Sequence, residues 1–299
     1  MFDIQRVCVP LGLACNLECC YCLRDMGRER VPRLNDLMRR YVEQLNPSVT
    51  EALIVTGGEP LLYKNRMFEL FELNASVHKK IMTNGILLDD ALADYCNRHQ
   101  IELMLSHDGE PTEFLRGVDV LKNPDLVRII RKFDILRVNT VSTKLNSDCL
   151  KTYWYIVEHL GREDFFMTFN PCFDTGCVNE LIEGYDYAEF NRTFAELHQI
   201  VPCRWAYNGK LDDLDKETLG VNILPDGSVV SMATMKHYGT VEESWETIRD
   251  RIEAFGEFDR CLRSRCPESL KRRCIKQLAS NHFCKVRFAQ VATSDKEWR

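Results

Sequence analysis

The stretch Cys15-Asn-Leu-Glu-Cys19-Cys20-Tyr21-Cys22 places four thiols within eight residues, directly after the first apolar run of the chain. Cys15, Cys19 and Cys22 have the spacing C-x-x-x-C-x-x-C, which lets one tight loop wrap three sulfurs around a corner of a metal cluster. Three ligands leave one iron of the cluster open, so that a substrate or cofactor can bind there. The spacing therefore predicts a catalytic iron-sulfur site, with Cys20 as a non-ligand.

Two simpler interpretations of these thiols compete with that prediction. One is a structural zinc loop that uses C-x-x-C, and the other is a set of small buried apolar residues. With 14 cysteines in 299 residues, the three-cysteine pattern is expected about 0.03 times by chance. The spacing needs support from the rest of the chain.

The overall composition limits the cellular setting. A net charge of -6 argues against a nucleic-acid binder of uniform basic charge. No apolar run approaches the roughly 18 residues that span a bilayer, and Met1–Arg6 lacks the pattern of a signal peptide. We therefore expect a cytoplasmic protein whose cysteines are metal ligands and reduced thiols, and which is oxygen-sensitive.

Short apolar runs alternate with amphipathic stretches over residues 1–200. The predicted strands are Ile4–Pro10, Glu51–Thr56, Lys79–Met82, Ile101–Ser106, Ile135–Ser142 and Phe165–Asn170. The predicted helices are Asn35–Leu45, Met67–Leu73, Asp89–Arg98, Pro124–Phe133, Ser147–Leu160 and Tyr187–Ile200. Six strand-helix units predict an α/β fold, a parallel sheet that curls into a partial (β/α)6 TIM-like barrel. The cysteine loop and the motifs GGEP, TNG and SHDG all follow predicted strands, where such folds place ligand sites.

Residues 201–299 have a different pattern and predict a smaller module. Val221–Leu224 and Val229–Ala233, joined by Pro225-Asp226-Gly227, predict a hairpin, and a helix is predicted at Ser244–Phe255. The tail then carries four cysteines among basic residues. They are Cys261, Cys266, Cys274 and Cys284.

The cysteine loop followed by a strand that ends in GGEP resembles the radical S-adenosylmethionine (radical SAM) enzymes over roughly residues 1–200, and Tyr21 is the aromatic residue before the last cysteine of their signature. The resemblance implies a 4Fe-4S cluster on Cys15, Cys19 and Cys22 whose open iron chelates the methionine moiety of SAM. It further implies that a 5'-deoxyadenosyl radical abstracts a substrate hydrogen, and that a flavodoxin- or ferredoxin-like donor supplies the electron. In this resemblance Gly58 and Glu59 accept hydrogen bonds from the amino group of SAM.

Further SAM contacts implied by the resemblance lie at other strand ends. Ser106 at the end of the fourth predicted strand, and Asn139 or Ser142 on the fifth, lie where these enzymes place polar contacts to the carboxylate and ribose of SAM. Each is equally explained as an ordinary polar residue at the end of a strand. Thr83 and Asn84 of the TNG motif fit turn-shaping better than ligand contact. The implied cofactor-binding residues are Tyr21, Gly57, Gly58, Glu59, Pro60, Thr83, Asn84, Ser106, Asn139 and Ser142.

The tail resembles the twitch or SPASM extensions that bind auxiliary clusters, although Met232 stands where those extensions have a cysteine. A second 4Fe-4S cluster on the four tail cysteines is the favoured expectation. A zinc site, a lost cluster, or a set that borrows Cys203, Cys172 or Cys177 are the alternatives. Cys172 is also a candidate hydrogen donor and Asp174 a candidate acid or base, with a structural loop thiol as the competing interpretation of Cys172.

The predicted reaction is radical modification of a peptide or protein side chain, which the tail resemblance favours. The alternative substrate is a nucleoside, nucleic acid or sugar, because the run Arg260–Lys276 carries seven Lys or Arg and would suit phosphate. A non-catalytic iron-sulfur or zinc redox sensor is the second alternative, but such a protein has no reason to carry GGEP after a strand.

Overall fold

The computed structural model describes residues 6–22, 36–172, 179–201, 203–205, 220–223, 227–231 and 237–251. The strands are β1 (Arg6–Pro10), β2 (Ala52–Thr56), β3 (Lys79–Thr83), β4 (Glu102–Ser106), β5 (Leu136–Ser142), β6 (Phe166–Pro171), β7 (Cys203–Trp205), β8 (Gly220–Ile223), β9 (Ser228–Ser231) and β10 (His237–Thr240). The helices are α1 (Asp36–Glu43), α2 (Lys64–Leu73), α3 (Asp90–Arg98), α4 (Thr112–Arg116), α5 (Pro124–Ile130), α6 (Cys149–Leu160), α7 (Asn179–Ile182) and α8 (Tyr187–Ile200). A 3-10 turn covers Pro60–Tyr63, another covers Val120–Lys122, and residues 245–251 are helical.

All of these strands belong to one sheet with the order β10-β9-β8-β1-β2-β3-β4-β5-β6-β7. Strands β1 to β6 pair in sequence order and in parallel, with at least one helix between each consecutive pair. This arrangement confirms the predicted partial TIM-like barrel. Strand β7 extends it in parallel beside β6, although its three residues carried no strand signal in the sequence.

The alternation of side chains along the strands separates two apolar layers. Val7, Val9 and Leu53 belong to the main core, which the helices cover. Cys8 and Ile54, which alternate with them, form a separate small cluster with Met104 on the other face of the sheet. Because both faces are covered, strand β2 reads as an uninterrupted apolar run and all five of its residues are buried.

Acidic and amide side chains start several of the helices that follow the strands. Asp89, Asn123, Asp148 and Asp186 each accept a hydrogen bond from a backbone N–H in the first turn of α3, α5, α6 and α8. Helix α6 ends at Gly161, whose φ of 67° is the left-handed conformation that closes a helix. These caps explain why the predicted helix boundaries lie close to the observed ones.

The predicted hairpin is present, but it shares the sheet of the barrel. Strands β8 and β9 pair antiparallel, and β10 adds a further antiparallel strand. Strand β8 also pairs in parallel with β1, from Arg6 with Gly220 to Cys8 with Asn222. The sheet therefore crosses residue 200, where the sequence pattern placed the boundary between two units.

No helix in the described part of the chain is long and apolar enough to cross a membrane.

Candidate active site

The GGEP turn after β2 packs directly on the start of the cysteine loop. The Gly58 backbone N–H donates to Gly12 O at 2.7 Å, and the Glu59 N–H donates to Ala14 O at 2.8 Å. A Cβ atom on Gly58 would lie 2.1 Å from Ala14 O, and one on Gly57 would lie 2.5 Å from Gly12 O. Both glycines are needed because the loop backbone approaches them closely, a partner that the sequence motif did not reveal.

The Glu59 carboxylate joins the GGEP turn to the TNG turn after β3. Its Oε1 accepts hydrogen bonds from Leu61 N at 3.0 Å and from Thr83 Oγ1 at 2.7 Å, and its Oε2 accepts one from Asn84 N at 2.9 Å. The residue is only 1% exposed. Glu59 thus holds two neighbouring strand ends together through contacts within the protein.

The TNG turn in turn reaches the cysteine loop. Asn84 Nδ2 donates to Asn16 Oδ1 at 2.7 Å and lies 3.9 Å from Cys15 Sγ. Asn84 Oδ1 accepts from Ile86 N at 3.1 Å, and Thr83 Oγ1 accepts from Gly85 N at 3.1 Å. The side chains of Thr83 and Asn84 are therefore held within and between turns.

The three cysteines of the C-x-x-x-C-x-x-C spacing are reduced thiols and half-buried, whereas Cys20 is exposed. Burial raises the pKa of Cys15, and it raises the pKa of Cys19 to about 11. The negative charge of Cys22 raises both pKa values further, so the three sulfurs lie within one another's electrostatic influence. Within the described residues, no three His, Cys, Asp or Glu side chains are grouped to hold a single metal ion.

This set of donors fits a 4Fe-4S cluster. Each thiolate of such a cluster binds its own iron, so the ligands surround a group larger than a single ion. Iron binding also favours the thiolate form, which burial in the protein alone opposes. The loop therefore presents three thiols of suitable chemistry at the carboxyl ends of parallel strands.

A buried ion pair lies against the loop. Asp108, which follows β4, is fully buried and accepts hydrogen bonds from Arg116 Nε at 2.6 Å and from Arg116 Nη2 at 3.1 Å. The hydroxyl of Tyr21 also donates to Asp108, and the guanidinium of Arg116 lies 5.4 Å from the centre of the Tyr21 ring. The implied SAM contact at Tyr21 is thus a buried side chain that points to the barrel wall.

The charges of this group affect the pKa values of its members. Burial raises the pKa of the Tyr21 phenol, and the Asp108 carboxylate raises it further. Burial opposes the charge of Arg116, but Asp108 outweighs that effect and raises the pKa of the guanidinium. Tyr21 is therefore neutral and Arg116 is charged across the physiological pH range.

A second buried network of hydrogen bonds joins His107, Asp119 and Tyr155. His107 Nε2 and Asp119 Oδ1 are 2.8 Å apart, and Tyr155 Oη donates to Asp119 Oδ2 at 2.6 Å. His107 Nδ1 accepts from Gly109 N at 3.1 Å, which leaves Nε2 to carry the proton that Asp119 accepts. Burial opposes the negative charge of Asp119, but the hydrogen bond from His107 lowers the pKa of that carboxyl to about 2.

The polar residues predicted at other strand ends differ in their surroundings. Ser106 is partly exposed and pairs in register with Asn139 on the neighbouring strand. Asn139 Oδ1 accepts a hydrogen bond from Asn170 Nδ2 at 2.7 Å. Ser142 is 1% exposed, and its hydroxyl is 2.6 Å from Tyr185 Oη. Ser106 and Asn139 therefore share one neighbourhood, while Ser142 is engaged within the fold.

Cys172, one residue beyond β6, lies close to the cysteine loop. Its N–H donates to Ser142 O at 2.9 Å, and the buried residue packs in an apolar cluster with Tyr21 and Leu115, against which Cys19 also packs. Cys203 lies in β7. The other predicted site residues lie outside the described residues: Asp174, Cys177, Met232, Cys261, Cys266, Cys274 and Cys284.

Asp108, Arg116, His107 and Asp119 were not predicted as site residues. The SHDG motif already placed His107 and Asp108 at a strand end, which was a usable signal. Arg116 carried no such signal, because helix α4 has five residues and was not predicted.

A comparison with protein families matches residues 9–160 to the Radical SAM superfamily, slightly more than half of the 299-residue chain. Among curated proteins, a cysteine-type anaerobic sulfatase-maturating enzyme of Clostridium perfringens (strain 13 / Type A) is 27% identical over 63% of this chain and 58% of its own length. A "Probable GTP 3',8-cyclase" of Methanopyrus kandleri is 26% identical over 53% of each chain. This chain thus spans less than two thirds of either relative.

Among solved structures, native anSMEcpe with bound AdoMet and Kp18Cys peptide has a TM-score of 0.61. The superposition covers 84% of this chain and 82% of that chain, at 18% sequence identity. The similarity shows that the fold extends beyond the residues matched to the family.

Proposed function

Because the chain belongs to the radical SAM superfamily and is an enzyme of that superfamily, we propose that it cleaves SAM and abstracts a hydrogen atom from a peptide or protein side chain. Cys15, Cys19 and Cys22 would hold the 4Fe-4S cluster. When bound, the cluster supplies the electron that breaks the C5'–S bond of SAM and so generates the 5'-deoxyadenosyl radical. The observation that carries this proposal is the position of the loop with the three thiols, at the carboxyl edge of a parallel sheet, with its first residues hydrogen-bonded to the GGEP turn.

The residues around the loop contribute mainly by positioning it. Gly57 and Gly58 admit its backbone, and Glu59 connects the two turns that support it. A loop held on two sides keeps its sulfurs near the arrangement that a cluster requires, which lowers the entropy lost on binding. Ser106 and Asn139, on adjacent strands, are the proposed polar contacts to SAM.

A peptide or protein substrate is supported by the sulfatase-maturating relative, whose name describes action on another protein. The solved structure with bound peptide shows in addition that a protein with this fold accepts a peptide. A nucleotide substrate is the second candidate, supported by the cyclase relative and by the basic run Arg260–Lys276. Membership of an enzyme superfamily removes the basis for the non-catalytic redox sensor.

The remaining assignments are part of the same proposal. The tail cysteines would bind a second 4Fe-4S cluster in a twitch or SPASM-like module, and a flavodoxin- or ferredoxin-like protein would donate electrons. We expect a cytoplasmic, oxygen-sensitive enzyme. Iron and sulfide analysis tests the cluster number, because about four irons per chain indicate one cluster and about eight indicate two.

The activity is tested by anaerobic reconstitution with SAM and dithionite, followed by chromatography for 5'-deoxyadenosine. Cys19→Ala should abolish the product because it removes a cluster ligand. Cys20→Ala is the matched control: the neighbouring thiol is exposed and outside the ligand spacing, so this variant should retain the activity. Absence of product from the wild type, or equal product from Cys19→Ala, would contradict the proposal.

The substrate class is tested by transfer of deuterium into 5'-deoxyadenosine. Peptides deuterated at the side-chain carbons of Cys or Ser are compared with deuterated nucleosides and nucleotides. Transfer from the peptides alone would support the first candidate, and transfer from nucleotides alone would replace it by the second.

A further inference from the structure

Asp108 is held in place by hydrogen bonds with residues outside the cysteine loop. Its Oδ1 accepts a hydrogen bond from Val141 N on β5 at 2.8 Å, and its own N–H donates to Thr112 Oγ1 on α4 at 2.8 Å. Asn146 Nδ2 donates to the backbone oxygen of Asp108 at 3.0 Å. A carboxylate held in this way is a rigid point on the barrel wall.

Two consecutive residues of the cysteine loop attach it to helix α4 and to Asp108. The Cys20 N–H donates to Leu115 O at 3.0 Å, and the Tyr21 hydroxyl donates to Asp108. Tyr21 stands directly before Cys22 and two residues after Cys19. The middle of the loop is therefore anchored to β4 and α4, while its beginning is anchored to the GGEP turn.

Arg116 brings a positive charge to the same place. Its side chain is 8% exposed, and two hydrogen bonds to Asp108 fix the plane of its guanidinium. The guanidinium also lies 5.4 Å from the centre of the Tyr21 ring, so the ion pair packs against a residue that stands between Cys19 and Cys22.

We propose that Asp108 and Arg116 are positioning residues of the cluster site, which hold Tyr21 and with it the neighbouring sulfurs of Cys19 and Cys22 in the arrangement that binds the cluster. The inference rests on the proposed function in one respect, the binding of a cluster by the loop. Groups that hold the ligands of a metal site in place by hydrogen bonds and packing slow the loss of the metal. Arg116 fixes the carboxylate of Asp108, and that carboxylate anchors the hydroxyl of Tyr21.

The test uses the full-length protein, reconstituted anaerobically with iron and sulfide. The double variant Asp108→Asn with Arg116→Gln removes both charges and leaves polar groups, so no buried charge loses its partner. The control is Glu102→Gln with Arg137→Gln, another carboxylate and guanidinium pair, at the amino ends of β4 and β5 and so at the opposite edge of the sheet from the cysteine loop. Glu102 also pairs with Lys80, so this control disturbs the fold locally at least as much. The rate of iron loss to a chelator is measured, together with urea unfolding of each apoprotein.

We expect the Asp108/Arg116 double variant to lose iron roughly tenfold faster than wild type or more. The Glu102/Arg137 control should lose iron at the wild-type rate. Arg116→Lys keeps the charge without the planar fork that fixes Asp108, so it should lose iron faster than wild type but more slowly than the double variant. Wild-type iron retention in the Asp108/Arg116 variant, or equally fast loss from the control, would overturn the inference.

Tyr21→Phe provides a milder test if circular dichroism shows that the double variant is unfolded. It removes only the hydroxyl that Asp108 holds, so faster iron loss without a change in apoprotein unfolding supports the anchor, and wild-type retention overturns it. Failure of the proposed function has a separate signature. In that case the wild-type protein itself takes up no cluster.

Discussion

Replacement of Gly58 by alanine is the sharpest test of how the GGEP turn supports the cysteine loop. The added Cβ would lie 2.1 Å from Ala14 O and 2.4 Å from Leu13 O, and the shorter distance falls 1.3 Å below the 3.4 Å at which ordinary contact begins. Gly58 is not in the left-handed conformation, so the effect is due to space alone. The backbone oxygens cannot turn aside as a flexible side chain would.

The expected loss takes one of two forms. If the loop stays in place, overpacking in a tight site destabilises by about 1–3 kcal/mol. If the loop moves away, the hydrogen bonds of Gly58 N and Glu59 N are lost instead, at about 0.5–1.5 kcal/mol each, and cluster binding is lost with them.

Urea unfolding of the apoprotein and iron content after reconstitution measure these two results. Gly184→Ala is the control, because its Cβ would meet nothing within 4 Å while its φ is 79°. Conformational strain should destabilise this control by about 1 kcal/mol and leave the iron content unchanged. Wild-type stability together with wild-type iron content in Gly58→Ala would refute the packing argument.

Two further predictions concern buried carboxylates. Glu59→Gln should destabilise the protein by about 1–3 kcal/mol in urea unfolding, because an amide cannot accept the hydrogen bonds at both oxygens. The control Glu69→Gln, in an exposed ion pair, should change stability by at most about 1 kcal/mol. Equal losses in the two variants would contradict the role assigned to Glu59. Burial raises the pKa of Asp119, but its hydrogen bonds, foremost the one from His107, together outweigh burial and lower this pKa to about 2 from an ordinary 3.8. The charged carboxylate therefore stabilises the fold at pH values above 3.8, and this stability is lost as the pH falls from 3.8 toward 2. Asp119→Asn should therefore show a smaller loss of stability between about pH 5 and about pH 2 than wild type, and an unchanged pH dependence would refute the assignment.

Much of the barrel could be predicted because its strands are buried on both faces. Apolar runs such as Ala52–Thr56 are visible without any partner, and side-chain caps such as Asp148 mark where helices begin. Strand β7 and helix α4 could not be predicted, since three and five residues are too short to show a period. Their positions depend on tertiary contacts.

The place of the candidate site in the fold could be predicted where a motif follows a strand, since the loop of Cys15, Cys19 and Cys22 lies directly after β1. The role of Gly58 was only partly predicted: the motif was assigned to SAM binding, and the structure shows that its glycine also admits the loop backbone. Asp108 and Arg116 could not be paired from the sequence. Their contact depends on how α4 turns back after β4, and charges eight residues apart do not match the spacing of three or four at which charges pair on a helix.

The pairing of β8 with β1 has a consequence for biosynthesis. The partners Arg6 and Gly220 are more than two hundred residues apart in the sequence, so β1 is synthesised long before one of its two neighbours in the sheet. A nascent chain that ends near residue 200 would present an unpaired edge at β1, which leads into the cysteine loop, and such edges are prone to pair with other chains. Iron delivered before residue 220 has been made would therefore meet an incomplete sheet.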